Sequence, residues 1–469
     1  MTKHKFKVPH TLVILFSIVV LAQILTYLIP AGEFDRLENK KGQMQVVPGS
    51  FHRTPETPAL SPVAFLMAIP KGLSDAHAII LFVLIIGGAF AVLRSTGAID
   101  AGMGALLRRW GNRPFWLVAC GITLFAAGSS TVGFGEEYYP FVPVLIGMTL
   151  ALGYDRLTAI AIVMVGYGVG FGAATINPFT TLIAQNIAGL EPASGLWYRL
   201  VLFVIFVAIG IHHVWSYAKK VGRDPATSLV ADVSVPDGLA IPSREHAMTM
   251  GDQDPLTGKN KLILAVVGIA LFLLIFGMIT WKWGLNEMQG VFVGLTLIVA
   301  IINRVSPDRV AAQFSTGAAS LTGVALLIGV ARGIQVVLGE GGVVDTMVYG
   351  LSIPVEKLPG ALSAVGMFFV QTVINFFIPS GSGQALVTMP IMAPLSDLVG
   401  VSRQVAVLAF QFGDGFSNIL IPTQYVLIGI LAMAGIPYDR WVRFILPLMV
   451  KIAIVGSIAL AVAVWIGYV

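Results

Sequence analysis

Charged residues are scarce in this chain. Only 11% of its 469 residues are Asp, Glu, Lys or Arg, whereas soluble proteins carry roughly a quarter. The shortage excludes an ordinary soluble protein, and the 56% content of hydrophobic residues indicates an integral membrane protein whose surroundings are the lipid bilayer. The net charge of +5 does not indicate a nucleic-acid partner, because basic residues in a multi-span protein mostly mark cytoplasmic loops.

Cysteine and catalytic motifs are scarce as well. The one cysteine, Cys120, excludes a disulfide framework and cannot form a metal site by itself. The chain has no Gly-x-Ser-x-Gly elbow, no His-Glu-x-x-His pair, no P-loop lysine and no ATPase domain. His212 and His213 fall at the end of a predicted span, where an interfacial role is expected rather than a ligand role. We therefore expect no enzyme, no cofactor and no protein-built metal site.

A polar, glycine-containing stretch interrupts the apolar sequence of the second half. It covers residues 376–384, and apolar stretches of helical length, 361–377 and 385–398, lie on either side. Pro379 prevents a continuous helix, and such a break is tolerated in lipid only inside protein or beside a wet cavity. We predict a re-entrant hairpin over 361–399 with its tip at membrane depth. The alternative is a surface loop between two short spans.

A similar stretch, residues 128–137, occurs in the first half and predicts a hairpin over 114–153. In both halves an arginine follows a proline by thirteen residues, and a long apolar segment with a polar break comes next. These segments predict two broken helices, 157–188 and 404–433. Interrupted segments in corresponding halves are typical of the binding site of a transporter.

The repeated landmarks predict an all-α polytopic membrane protein built as an inverted repeat. The first repeat covers 1–217, a cytoplasmic linker covers 218–261, and the second repeat covers 262–469. We expect about nine transmembrane helices besides the two hairpins, with span ends uncertain by several residues. A basic start at residues 3–7 places the N-terminus in the cytoplasm, with a cleaved signal peptide as the alternative, and the count of spans then places the C-terminus in the periplasm.

The hairpin tips, the broken helices and three short sequence motifs resemble those of the four-carbon-dicarboxylate anaerobic carrier family. The motifs are Ile-Pro-Ala-Gly-Glu-Phe at 29–34, Val-Pro-Gly-Ser-Phe-His at 47–52 and Leu-Thr-Gly-Lys at 256–259. The resemblance covers nearly the whole chain and is greatest to the YfcC-type branch. That family is similar to the aminobenzoyl-glutamate and divalent-anion/sodium symporters of the ion transporter superfamily. The Ser-Asn-Thr signature of the divalent-anion branch is absent here.

The resemblance implies an elevator-type secondary transporter with a scaffold domain and a moving transport domain. It also implies a homodimer in the bacterial inner membrane. Related members are assigned to dicarboxylates, whereas the YfcC-type branch is described as handling basic amino acids. The family likeness therefore leaves both substrate classes open.

Polar side chains at the tips and breaks are the candidate substrate ligands. Free N–H groups and the dipole at half-helix N-termini favour a carboxylate there, and neighbouring hydroxyls and amides can add hydrogen bonds. The predicted set is Ser129, Ser130, Thr131, Asn177, Thr180, Ser380, Gly381, Ser382, Gln384, Asn418 and Thr423. The alternative for each Ser or Thr is a hydrogen bond back to its own helix.

Four charged residues fall in the predicted membrane zone, namely Glu136, Glu137, Asp414 and Arg332. Charges at membrane depth are costly and are normally paired or functional. We predict that Glu137 and Asp414 contact substrate, that Glu136, Glu137 and Asp414 serve a coupling Na⁺ or H⁺, and that Arg332 helps to bind a carboxylate. The alternatives are a helix-capping glutamate, a structural aspartate and a snorkelling or interfacial arginine.

The excess of acids decides between the two substrate classes. An amino acid, basic or zwitterionic, offers an ammonium group to these acids and a carboxylate to the helix N-termini. A four-carbon dicarboxylate would require the acids to be protonated or metal-paired. We therefore expect a secondary transporter of an amino acid, with exchange as one mode, and keep a dicarboxylate carrier coupled to Na⁺ or H⁺ as the alternative. An ion channel is the distant alternative, because no filter-like ring is present.

Overall fold

The computed structural model describes residues 11–38, 44–55, 59–99, 101–102, 105, 113–234, 256–281 and 283–469. The described part of the chain is almost entirely α-helical. The predicted basic N-terminus at 3–7 and the middle of the predicted linker, 235–255, lie outside the described residues.

The first half contains helices of very different length, and short strands follow the first of them. The helices are α1 (Thr11–Leu28), α2 (Ala64–Asp75), α3 (His77–Ser95), α4 (Pro114–Thr131), α5 (Phe141–Ala151), α6 (Arg156–Gly172), α7 (Thr181–Ile187) and α8 (Leu196–Arg223). Two antiparallel strand pairs, β1 (Gly32–Glu33) with β4 (His52–Arg53) and β2 (Arg36–Glu38) with β3 (Met44–Val46), lie between α1 and α2.

The second half continues with ten helices among the described residues. They are α9 (Gly258–Thr280), α10 (Leu285–Asn303), α11 (Pro307–Ser320), α12 (Thr322–Glu340), α13 (Val344–Glu356), α14 (Gly360–Phe377), α15 (Gly381–Leu398), α16 (Arg403–Ser417), α17 (Tyr425–Met433) and α18 (Tyr438–Trp465). Helices α2, α11 and α13 were not predicted from the sequence, whereas α12 lies where the sequence predicts a span over 318–338.

Nine helices of the described residues are long and apolar enough to cross a membrane, namely α1, α3, α4, α8, α9, α10, α12, α14 and α18. The number agrees with the prediction, but the membership differs. Helices α4 and α14, the first arms of the predicted hairpins, each have 18 residues and qualify by length. Helices α6 and α16, the first parts of the predicted broken helices, have 17 and 15 residues and do not qualify alone.

The helices pack as two groups. One group contains α1, α2, α3 and α9–α12, and its main contacts are α2 with α12, α3 with α11 and α1 with α12. The other contains α4–α8 and α14–α18, in which α4 packs on α6 and α14 packs on α16. Helices α12 and α13 provide the main contacts between the groups, through α17, α14 and α15.

Local side-chain chemistry explains where several helices of the second group begin. Asp155 caps α6 by accepting a hydrogen bond from Thr158 N at 2.8 Å. Ser402 caps α16 by accepting from Val405 N. An oxygen at this position satisfies one of the free N–H groups of a helix start. These caps place the starts of α6 and α16 after the loops that end α5 and α15.

The described beginning of the predicted linker is packed against the second helix group. The Ser228 hydroxyl donates to Asp155 Oδ2 at 2.6 Å, and Arg440 donates to Asp232 Oδ2 at 2.7 Å. Arg156 also donates to the Val233 carbonyl at 2.5 Å. Residues 224–234 of the predicted linker therefore pack against this group in a defined way, because they supply hydrogen-bond partners to Asp155, Arg156 and Arg440.

Candidate functional site

The two breaks, the non-helical segments after α6 and α16, lie beside each other because these helices contact each other closely at glycine residues. Helix α6 ends at Gly172 and the next helix begins at Thr181, while α16 ends at Ser417 and the next begins at Tyr425. An added Cβ at Gly415 would lie 2.3 Å from Gly172 Cα, which is closer than any real contact. Only glycine therefore permits this approach, and it brings the polar residues after both helices together.

The second tip reaches both breaks through the first residue of α15. A Cβ added at Gly381 would lie 2.4 Å from Thr180 Cγ2 and 3.1 Å from Asp414 Oδ2. Neither Gly381 nor Gly383 has a positive φ. The sequence of the tip predicts that Gly381 and Gly383 permit the sharp chain reversal. Neither uses a left-handed backbone there, and Gly381 is required instead by its close approach to Thr180 and Asp414.

The first tip is bound to the first break by a closed set of hydrogen bonds. Asn177 Nδ2 donates to the Ser129 carbonyl at 2.9 Å, and Asn177 Oδ1 accepts from Phe179 N at 2.9 Å. Thr175 N donates to Ser130 Oγ at 3.0 Å. The structure thus brings the predicted ligands Ser129, Ser130 and Asn177 together, and their polar atoms already have protein partners.

The second break is held to α14 in a related way. Asn375 Nδ2 donates to the Asp414 carbonyl at 2.8 Å, to Ser417 Oγ at 2.7 Å and to Asn418 Oδ1 at 2.8 Å. Gln424 Nε2 also donates to Asn418 Oδ1, at 2.9 Å. The predicted ligand Asn418 therefore has its amide oxygen occupied by two protein donors.

Buried polar atoms without a partner concentrate around the second tip. Among the described residues they include Thr180 Oγ1, Gln384 Oε1, both carboxylate oxygens of Asp414 and Thr423 Oγ1. Asp414 and Thr180 are 0% exposed. Buried polar groups are nearly always hydrogen-bonded, and an unpaired buried carboxylate is strongly unfavourable. These atoms can hold a cation or a polar ligand.

The two glutamates of the first tip lie near a group of tyrosines. Glu137 Oε2 accepts from Gly135 N at 2.6 Å, so this residue caps its own turn. Tyr425 donates a long hydrogen bond of 3.5 Å to Glu136 Oε2. Tyr167 lies close enough to interact electrostatically with Asp414 and with both glutamates. Tyr167 packs against the first tip, where a Cβ added at Gly135 would lie 3.4 Å from its ring.

The other predicted site residues have different surroundings. Thr131 donates to the Ala127 carbonyl at 2.7 Å, which is the bond back to its own helix. Ser380 Oγ caps α15 by accepting from Gly383 N at 3.4 Å, and Ser382 is half-buried in the same turn. Arg332 lies on α12, hydrogen-bonds to Gln335, and has Asp75 as its ion-pair partner at 3.9 Å.

Several residues of this region were missed in the sequence. Tyr167, Tyr425 and Asn375 join the tips to the breaks. Tyr167 lies between two glycines of the first glycine-rich segment, and Tyr425 follows directly after the second break. The available signal in the sequence was a tyrosine in or beside each predicted break, because its hydroxyl can hydrogen-bond to nearby polar groups. Asn375 lies in an apolar run, where an amide is unusual.

Comparison with known proteins agrees with a transport role. Residues 8–465 match the family model of the C4-dicarboxylate anaerobic carrier. An Escherichia coli (strain K12) protein named "Putative basic amino acid antiporter YfcC" is 33% identical, covering 99% of this chain and 98% of that protein. A Haemophilus influenzae protein without an assigned function is 31% identical, covering 98% of both chains.

Among solved structures, the YdaH transporter of Alcanivorax borkumensis is similar at 16% identity, covering 98% of this chain and 99% of its own. Its TM-score is 0.43. A likeness of that size carries no weight for the fold or for the substrate.

Proposed function

Because the chain is a membrane transporter of the C4-dicarboxylate anaerobic carrier family, we propose that it is a secondary active transporter whose favoured substrate is a basic or zwitterionic amino acid. The observation that carries the proposal is the buried carboxylate of Asp414, which has no hydrogen-bond partner among the described residues and lies beside the start of α15. The name of the Escherichia coli relative supports the same substrate class.

The two ends of an amino acid match two features of this region. The free N–H groups at the start of α15 favour the substrate carboxylate, because helix N-termini attract anions. Asp414, together with Glu136 and Glu137 of the first tip, attracts the ammonium or guanidinium group. The predicted role of Arg332 in carboxylate binding receives no support from its ion pair with Asp75.

A four-carbon dicarboxylate is the second candidate, and the description of the family favours it. Such a substrate places two negative charges near three acids. It therefore requires a coupling Na⁺ or H⁺ at Asp414, Glu136 or Glu137, and the unpartnered oxygens of Asp414 and Thr180 suit a small hard cation. The two candidates thus differ in what Asp414 binds. In the first it binds the ammonium or guanidinium group of an amino acid, and in the second it binds a coupling Na⁺ or H⁺.

We further propose an elevator mechanism in an inverted repeat. The helix order supports it, since α4–α8 and α14–α18 each contain a helix pair, an interrupted helix and a final helix of 28 residues. In this proposal the second helix group moves against the first, and the pairs α4–α5 and α14–α15 are re-entrant hairpins. A lipid-exposed polar break would be unsatisfied, whereas the polar side chains of these breaks, such as Asn177, Thr180, Asn418 and Thr423, are buried in protein. The exposed residues Ile176 and Phe179 of the first break are apolar.

The proposed orientation places the N-terminus in the cytoplasm of a bacterial inner membrane and the C-terminus in the periplasm. Helix α8 ends with Lys220 and Arg223, and Arg440 at the start of α18 is bonded to the segment after α8. These basic residues share one end of the molecule, as expected for a cytoplasmic side. A homodimer is proposed from the family likeness alone.

Counterflow into proteoliposomes tests the substrate class. Vesicles loaded with unlabelled arginine, lysine or ornithine should accumulate labelled arginine, with saturation and without net charge leakage. Vesicles loaded with fumarate or succinate should not. Saturable succinate counterflow with no amino-acid counterflow would reverse the order of the two candidates, and unsaturable conductance would point to a channel.

A further inference from the structure

A buried arginine lies apart from the tips, where α7 ends and where α8 and α16 begin. Arg199, in the first turn of α8, is 1% exposed. Its Nη2 donates a long hydrogen bond of 3.4 Å to Gln404 Oε1. Its Nε and Nη1 have no partner among the residues that the structure describes. A buried, unpaired guanidinium is strongly destabilising unless a counter-charge reaches it.

The groups around Arg199 add positive rather than negative potential. Helix α8 begins at Leu196 and α16 begins at Arg403, so two helix N-termini flank the guanidinium. Each N-terminus carries about half a positive charge on its free N–H groups. The nearby Asp397 is already paired with Arg403 at 2.8 Å. The region therefore lacks an acid, in the described chain, that could neutralise Arg199.

Two buried glutamines fix the surroundings without supplying charge. Gln185 Nε2 donates to Gln404 Oε1 at 3.1 Å, and Gln404 Nε2 donates to Ser194 Oγ at 2.7 Å. Both glutamines are 0% exposed. Their amides are neutral, so they orient the guanidinium but leave its charge uncompensated.

Tyr468, in the segment after α18, covers one side of the region around Arg199. Its hydroxyl oxygen is within reach of a weak hydrogen bond from the Arg199 guanidinium but brings no compensating negative charge. The same hydroxyl donates to the Gly195 carbonyl at 2.7 Å, and the residue is 2% exposed. A Cβ at Gly195 would lie 2.3 Å from the Tyr468 hydroxyl. This close packing beside Arg199 favours a small ligand, such as a monoatomic anion, over an organic anion of the size of the transported substrate.

The corresponding position of the second half offers a contrast. Trp441 occupies the fourth position of α18, as Arg199 does in α8, and both helices have 28 residues. Trp441 is fully buried, and its Nε1 donates to the Ile419 carbonyl at 2.7 Å. The protein thus provides a partner for the buried donor in one half, whereas in the other Nε and Nη1 of Arg199 have none among the described residues.

We propose that Arg199 binds a small inorganic anion, of which chloride is the representative, enclosed by α7, α8, α16 and Tyr468. The anion accepts hydrogen bonds from Nε and Nη1 of Arg199 and is stabilised by the two helix N-termini. The anion is distinct from the substrate, and its binding stabilises the packing of α7, α8, α16 and Tyr468. A ligand that binds only the folded state raises its stability.

The test is thermal unfolding of the purified full-length protein in sodium chloride and in sodium gluconate at equal ionic strength. The wild type should unfold at a temperature about 3 °C higher or more in chloride, with a saturable dependence on chloride concentration. Bromide should replace chloride and give an anomalous scattering peak beside Arg199 in crystals. Arg199→Gln should lose the chloride response.

Two further variants keep the test decisive if Arg199→Gln fails to fold. Arg199→Lys retains the charge but loses the planar fork, and its chloride affinity should fall at least about tenfold. Arg403→Gln removes an exposed arginine at the same helix start and should keep the full response. Equal unfolding temperatures of the wild type in chloride and gluconate, or a chloride response that survives in Arg199→Lys unchanged, would overturn the proposal.

Discussion

The first and second breaks contain similar residues but satisfy them differently. At the first break, Thr175 N donates to Ser130 Oγ of the first tip, and Asn177 Nδ2 donates to the Ser129 carbonyl. At the second, Asp414 and Thr423 keep side-chain oxygens without a partner among the described residues. Thr180, at the end of the first break, also has an unpartnered hydroxyl, and its methyl group lies beside Gly381 of the second tip. Polar composition alone therefore does not locate a ligand, whereas an unsatisfied polar atom does.

The difference assigns different tasks to the two regions. Hydrogen bonds that the protein completes by itself fix the geometry of a break and contribute to stability. Atoms that the protein leaves unpaired lower stability until a ligand completes them. Except at Thr180, the first break is then a rigid support, and the second break together with Thr180 is the place where substrate or coupling ion binds.

Among the variants tested by uptake, the largest effect is expected from Gly381→Ala. The added methyl group would lie 2.4 Å from Thr180 Cγ2 and beside Asp414 Oδ2, so it fills the space between the second tip and both breaks. Uptake into proteoliposomes should fall at least about tenfold, since overpacking of this kind costs roughly 1–3 kcal/mol.

Gly383→Ala is the matched control, because its nearest neighbour would be Ser380 Oγ at 3.1 Å, in the same turn. Uptake by this variant should remain within about threefold of the wild type, a change below one kcal/mol. Equal losses in the two variants would show that any bulk at the tip is harmful and would remove the special role of Gly381.

Thr180→Val should weaken substrate binding without lowering stability. Its hydroxyl is buried and unpartnered in the protein, so an apolar group of the same shape costs the unliganded fold nothing. Loss of one ligand hydrogen bond should reduce affinity by about tenfold, as measured by titration calorimetry. Unchanged affinity together with a lower unfolding temperature would place Thr180 among the structural residues.

Asn177→Ala should show the opposite pattern. The change leaves the Ser129 carbonyl and Phe179 N without their partner, which costs about 1–3 kcal/mol of stability. The unfolding temperature should fall by several degrees, while the substrate affinity of the folded fraction stays within about threefold. A loss of affinity beyond tenfold at normal stability would move the site toward the first break.

The smallest effect is expected from Thr131→Ala. The Thr131 hydroxyl donates to the Ala127 carbonyl of its own helix and is exposed. Removing such a bond changes helix stability little. Uptake and unfolding temperature should both match the wild type within error, and a clear loss of uptake would restore Thr131 as a substrate ligand.

The sequence predicted the membrane class, the number of candidate spans and the family. Composition and apolar run length are sufficient for the first two, because a bilayer requires long apolar helices. It did not predict α2 or α13, because α2 has 12 residues and α13 has 13, too short to read as spans. Nor did it predict that residues 224–234 dock on buried groups of α6 and α18, since that depends on distant partners.

For the candidate site, the sequence indicated which polar residues are present but not which of them have hydrogen-bond partners in the protein. Ser130 and Thr180 look equivalent in the sequence, yet one is paired and the other is not. The partners that decide this, such as Thr175 for Ser130, lie 45 residues away. Whether the predicted residues bind substrate stays a prediction that the variants above address.

The most direct test of the central claim is titration of arginine into purified wild-type protein, Asp414→Asn and Ser130→Ala. Asp414→Asn removes the charge that no protein donor pairs, and the account predicts a loss of affinity of about 100-fold or more, as for a hydrogen bond to a charged group. Ser130→Ala alters the first tip, where the protein itself supplies the hydrogen-bond partners. The arginine affinity of this variant should stay within about threefold of the wild-type value. Wild-type affinity in Asp414→Asn, or the larger loss in a stably folded Ser130→Ala, would contradict the account.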